Sequence, residues 1–126
     1  MFHHELVSEW LAEHAPDSYA YVTTRGRRTG RPHTVEIWFG IDGGSLYLLS
    51  GGGARSDWVR NLLADAKVEV RLADETRAAR ARVVTDPREE QRARRVLAAK
   101  YQDWREADPM SDWAANALVV ALDVAG

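Results

Sequence analysis

The chain has no cysteine. That excludes a disulfide scaffold, a cysteine-ligated zinc or iron–sulfur site and a thiol nucleophile. It has almost no lysine: of its 17 basic residues, all but Lys67 and Lys100 are arginine. No apolar run approaches the roughly 20 residues that span a bilayer. No basic segment followed by an apolar core opens the chain. Metal-ligand spacing is also missing, since His3 and His4 are adjacent while His14 and His33 stand apart. Neither a G-x-S-x-G elbow nor a dinucleotide or P-loop fingerprint occurs. A formal net charge of −2 speaks against the broadly basic surface of a general nucleic-acid binder. These absences lead to an expectation: a soluble cytoplasmic protein forming one domain over residues 1–126, with no metal, no nucleic-acid partner and no integral membrane segment.

What is present is unevenly placed. Residues 1–20 carry Glu5, Glu9, Glu13 and Asp17 and no Lys or Arg. Arg25, Arg27, Arg28 and Arg31 then fall within seven residues, framed by Gly26 and Gly30. Guanidinium groups bind phosphates and carboxylates through paired hydrogen bonds, and glycines let backbone N–H groups approach an anion closely. The segment Arg25–His33 therefore reads either as an anion clamp or as a solvated turn. A second segment, Ser50-Gly51-Gly52-Gly53, leads straight into a helical pattern at Ser56-Asp57-Trp58. A glycine run entering a helix N-terminus also suits an anion, the alternative being a flexible connector. The two segments are expected at matching ends of neighbouring strands, facing one cleft. Trp38, Trp58, Tyr101, Trp104 and Trp113 are numerous enough to line a slot for a planar ring, with core packing as the alternative.

Periodicity organises the rest. Leu6, Val7, Trp10 and Leu11 share one face of a helix stopped at Ala15-Pro16. Strands are expected at 18–24, 34–41, 45–50, 67–72, 76–84 and 118–124, with a hairpin turn at Asp42-Gly43-Gly44. Trp58, Val59, Leu62 and Leu63 make a second helix, capped by Ser56 or Asp57. Asp86-Pro87 starts a third that runs to about Arg105 and is broken at Asp108-Pro109. The order suggests a six-stranded, mostly antiparallel split barrel with flanking helices, mainly β with some α. Glu36, inside an apolar strand, is read as an outward-facing position rather than a catalytic base.

Several motifs in sequence order carry a resemblance. Thr23-Thr24-Arg25-Gly26-Arg27-Arg28-Thr29-Gly30-Arg31-Pro32 is followed by Trp38-Phe39, Leu46-Tyr47-Leu48, Ser50-Gly51-Gly52-Gly53 and Trp58-x-x-Asn61-Leu62. Together they resemble the deazaflavin-dependent nitroreductase and quinone reductase family, within the FMN-binding split β-barrel superfamily. The strong part covers residues 20–72.

The resemblance implies coenzyme F420 as cofactor, with FMN as the alternative, and hydride transfer to a quinone, nitroaromatic or activated alkene. It places anionic groups of the cofactor on Arg27, Arg28, Thr29, Gly30, Arg31, Pro32 and His33. The ring falls near Ser50 and Trp58, and Gly51, Gly52, Gly53 and Asn61 also belong to the cofactor site. Tyr101 and Trp104 come to the substrate side, where Trp38 joins them. Water, Ser50 or Tyr101 would complete proton transfer, so Ser50 and Tyr101 are the expected catalytic residues. The family pattern is broken at His33 (arginine in the family), at Gly51 (commonly lysine) and at Trp104 (tyrosine). A rival reading is a non-catalytic binder of a fatty acid or other anionic amphiphile. The barrel can act alone or as a homodimer. The first helix can cover the barrel or touch a partner or membrane surface, although its acidic face disfavours an anionic one.

Overall fold

A computed structural model describes residues 2–125; side chains are described from Val7 onward, so those of Glu5 and Leu6 lie outside the described residues. The chain runs α1 (Phe2–His14), β1 (Ala20–Arg25), β2 (Pro32–Ile37), β3 (Gly40–Asp42), β4 (Ser45–Ser50) and α2 (Asp57–Ala64). It continues through β5 (Lys67–Leu72), β6 (Glu75–Val83), α3 (Pro87–Gln102), α4 (Asp112–Asn116) and β7 (Leu118–Val124). The strands form one sheet in the order β2-β1-β5-β6-β7-β4-β3, and every pairing is antiparallel.

The two edge strands, β2 and β3, are consecutive in the chain and separated only by Trp38 and Phe39. Two residues span less than ~8 Å. The sheet must therefore curl until its edges meet at this crossover, which gives a split β-barrel.

Here lies the difference between the six strands expected and the seven found. Residues 34–41 form no single strand; β2 pairs with β1, and after Trp38-Phe39 the chain leans to the other edge and pairs with β4. At the break, the main chain of Phe39 hydrogen-bonds side chains of α3 instead of a neighbouring strand. Gly40 is required there, because a Cβ would lie 2.7 Å from Val96 Cγ1. The third helix also stops earlier than expected. Asp103 takes a left-handed conformation (φ 51°) and the Trp104 N–H returns to the Ala98 carbonyl, so the helix ends before Asp108-Pro109 is reached.

Burial explains the contrast between alternating and continuous apolar strands. β1 and β5 turn Ala20, Val22, Val68, Val70 and Leu72 inward and leave the opposite face to solvent. β4 and β7 are buried on both faces: Leu46, Leu48, Val120 and Leu122 point into the barrel, and Tyr47, Leu49, Val119 and Ala121 meet α3 through Ala93 and Leu97. Val7, Trp10 and Leu11 of α1 pack into the interior cluster, so this helix covers the barrel.

Candidate functional site

β1 ends at Arg25 and β2 begins at Pro32, opposite it. The six residues between them close a compact hairpin loop. The Gly26 N–H donates to Arg31 O (2.7 Å), the Gly30 N–H to Gly26 O (2.8 Å) and the Arg31 N–H to Thr29 Oγ1 (3.2 Å). The His33 ring lies against Gly26; a Cβ there would come within 2.8 Å of Nε2, so the exposed imidazole would have to shift.

Asn61 ties this loop to α2. It is 3% exposed. Its Oδ1 accepts from the Arg27 N–H (3.2 Å) and guanidinium (2.9 Å), and its Nδ2 donates to Thr24 Oγ1 (3.1 Å). Arg27 also reaches the Asp57 carboxylate at 3.4 Å. Among the described residues, the backbone N–H groups of Arg28 and Thr29 and the guanidinium of Arg28 have no such partner.

These groups border a cleft of about 470 Å³ between the loop, the start of β2 and the first turn of α2, walled on one side by Trp58. Of the residues expected at a cofactor, Arg27, Arg28, Thr29, His33, Trp58 and Asn61 line it; Gly30, Arg31, Pro32, Ser50, Gly51, Gly52 and Gly53 do not. Its remaining lining includes Gly26, Thr34, Val35 and Asp57.

The glycine run has another place. Ser50 is 2% exposed, and its hydroxyl donates to Gly53 O (2.9 Å) and shares a hydrogen bond with Ser56 Oγ (2.8 Å). This bond holds Ser56 away from capping α2, whose first N–H groups therefore stay uncapped by that side chain. β1 and β4 are not neighbours but are separated by β5, β6 and β7. They run the same way, and α2, which follows the glycine run, packs against β1.

A second group lies further along β2. Trp38 is 37% exposed and stacks on Tyr101 with ring centroids 4.3 Å apart and planes 3° from parallel. Trp113 meets Trp38 edge-on at 5.3 Å. A Cβ on Gly51 would sit 3.8 Å from Trp113 Cδ1, so the glycine run borders this group. Trp38 follows the cleft residue Val35 by three positions, or ~10 Å of extended strand.

The Tyr101 hydroxyl accepts from the Phe39 N–H (3.0 Å) and lies 2.8 Å from Ser18 O and 3.1 Å from Phe39 O. Burial raises its pKa, opposed by the Phe39 main chain. Beside it, Lys100 Nζ donates to Phe39 O (3.0 Å) over the Phe39 ring. Burial lowers the Lys100 pKa to about 8, with Asp17 pulling the other way. Trp104 is not part of this group; its indole N–H donates to Asp108 O in the loop between α3 and α4.

Sequence reasoning missed Thr24 and Lys100 and left Trp113 among general aromatics. Thr24 had a signal: it continues the inward alternation of Ala20 and Val22, where a polar side chain needs a buried partner.

The F420H(2)-dependent quinone reductase family profile matches residues 10–112. The chain belongs to that family. It is an oxidoreductase, and its cofactor is coenzyme F420. Solved structures share the fold. A conserved hypothetical protein from Mycobacterium tuberculosis is 23% identical, with a TM-score of 0.77 over 93% of this chain and 79% of that one. An F420-H2 dependent reductase is 18% identical, with a TM-score of 0.65 over 84% and 94%. A candidate pyridoxamine 5′-phosphate oxidase from Listeria innocua is 18% identical, with a TM-score of 0.69 over 96% and 94%. No helix among the described residues is long and apolar enough to cross a membrane.

The residues present suit the cofactor. Coenzyme F420 carries a phosphodiester and a flat deazaflavin ring system. The cleft supplies two unengaged N–H groups and a guanidinium beside an indole wall.

Proposed function

We propose that this protein reduces a planar acceptor, a quinone, nitroaromatic or activated alkene, held against Trp38, Tyr101 and Trp113. The observation that carries this reading is the pairing of an anion-binding cleft with an aromatic group one short strand segment away. When bound, reduced F420 supplies the hydride.

The protein's own residues do the rest. Arg28 and the N–H groups of Arg28 and Thr29 hold anionic groups of the cofactor. Arg31, at the foot of the loop, adds positive charge. Arg27 braces the loop through Asn61 and Asp57 rather than offering a free fork. His33 and Trp58 shape the walls. Trp38 and Trp113 present faces and edges that bind a flat acceptor and exclude water from one side.

Ser50 and Tyr101 take positioning roles in this proposal. The Ser50 hydroxyl shapes the glycine run, and the Tyr101 hydroxyl is spent on the main chain. The proton that completes reduction then comes from water.

The test is a titration of the protein with F420, with FMN and with a fatty acid, followed by tryptophan fluorescence. F420 should saturate the signal, because Trp58 lines the cleft. Saturation by FMN or the fatty acid with no response to F420 would sink the proposal. Steady-state assays with reduced F420 and quinone or nitroaromatic acceptors then identify the acceptor class.

A further inference from the structure

We infer that Lys100 is a positioning residue for the acceptor: by holding the Phe39 carbonyl at the crossover between β2 and β3, it sets the orientation of Trp38. The inference rests on the proposed reading that the acceptor lodges against Trp38.

The argument begins with a shortage of protons. Phe39 is fully buried at the point where the chain leaves one sheet edge for the other, so its carbonyl has no strand partner. Two acceptors, Ser18 O at 2.8 Å and Phe39 O at 3.1 Å, face the Tyr101 hydroxyl. A hydroxyl carries one proton and donates to one acceptor at full strength. The shorter distance assigns that proton to Ser18. The Phe39 carbonyl then depends on Lys100 Nζ at 3.0 Å. A buried carbonyl left without a donor is unfavourable, so losing Lys100 favours a reoriented Phe39–Gly40 peptide.

Lys100 is held for this task in other ways too. Its ammonium lies 3.6 Å from the centroid of the Phe39 ring and 4.9 Å from that of Tyr101. Its burial is unfavourable for a cation, and an apolar side chain of the same length would fill the space without that cost. What the cation adds is a donor with reach, aimed at the Phe39 carbonyl. Phe39, which follows Trp38, is thereby fixed at both ends, its N–H on the Tyr101 hydroxyl and its carbonyl on Lys100, and Trp38 leaves this fixed residue to stack on Tyr101.

The experiment compares Lys100→Met, Lys100→Arg and Trp38→Leu with the parent protein. It reads the exciton band of the Trp38–Trp113 pair by circular dichroism without cofactor, the Kd for F420, and the acceptor KM and kcat with reduced F420. Because a misplacement of about 1 Å can cost about 100-fold, Lys100→Met should alter the exciton band and raise acceptor KM by roughly 10-fold. The Kd for F420 should stay unchanged, and Lys100→Arg, which retains a donor and a charge, should recover most of the loss.

An unchanged band and KM in Lys100→Met, with a raised KM in Trp38→Leu, would overturn the inference alone. An unchanged KM in Trp38→Leu would remove the acceptor from the aromatic group and take the inference with it. A parallel loss of F420 affinity in Lys100→Met would show general loosening and also overturn it. If Lys100→Met does not fold, Lys100→Gln replaces it: it keeps an N–H for Phe39 without the charge, so a band and acceptor KM near the parent's are expected, and an altered band with raised KM would overturn the inference.

Discussion

Two arginines one position apart do different work. Arg27 is consumed by Asn61 and Asp57, while Arg28 keeps its guanidinium and its N–H toward the cleft. Residue counting could not separate them. Four arginines in seven residues mark the loop as electropositive, but which of them is spent inside the protein depends on where α2 brings Asn61. Arg28→Ala should therefore weaken F420 binding by roughly 10-fold at low ionic strength and by less at high salt, since a charge-assisted contact is screened. Calorimetric titration at two salt concentrations measures this. Equal affinity for mutant and parent at low salt would take Arg28 out of the site. The same limit applies to Ser50. Its position before the glycines was plain from the sequence, whereas its burial and its bond to Ser56 follow from a turn that only the folded chain displays.

Among the elements, α3 is held to the barrel by charge as well as by Leu97 and Ala93. The Arg82 guanidinium on β6 binds Glu89 of α3 at 2.7 and 2.8 Å and Asp123 of β7 at 2.8 Å, and Tyr47 of β4 donates to Glu89 at 2.6 Å. The Arg82 hydrogen bonds, then that from Tyr47, lower the Glu89 pKa to about 2 from an ordinary 4.5. A depressed carboxyl pKa stabilises the fold above the unfolded value, and the stability is lost as pH falls from about 4.5 toward about 2. In Glu89→Gln, Tm should be lower than the parent's at neutral pH and should fall less steeply over that acid range. Parallel melting curves from pH 2 to 6 decide it; identical slopes would show that the group does not couple to unfolding.

The start of α3 was legible because its cap is local: Asp86 accepts from the Arg88 N–H, as an Asp-Pro start implies. Helix α3's end was not. A left-handed aspartate leaves little mark in the sequence, and the later Asp-Pro was the louder stop signal. The break at Trp38-Phe39 was hidden for a related reason: the eight residues 34–41, mostly apolar and rich in strand formers, read as one strand until the opposite sheet edge comes into view.

At the scale of the whole molecule, the sheet is graded. β5, β6 and β7 are paired on both sides, whereas β2 and β3 each have one partner. Amide hydrogen exchange should accordingly be slowest along β6 and β7 and measurably faster along β2. Protection of β2 equal to that of β6 would mean that its outer side is paired in solution. The crossover also gives the barrel a seam with one stitch in it. Severing the peptide between Trp38 and Phe39 would remove a single bond yet untether both margins of the sheet. It would free to spread apart two edges whose outer main-chain donors and acceptors have no strand partner, of the kind that recruit foreign strands. The position that displays an indole to solvent is therefore also the one where a protease cut would turn a self-contained tube into a template for aggregation.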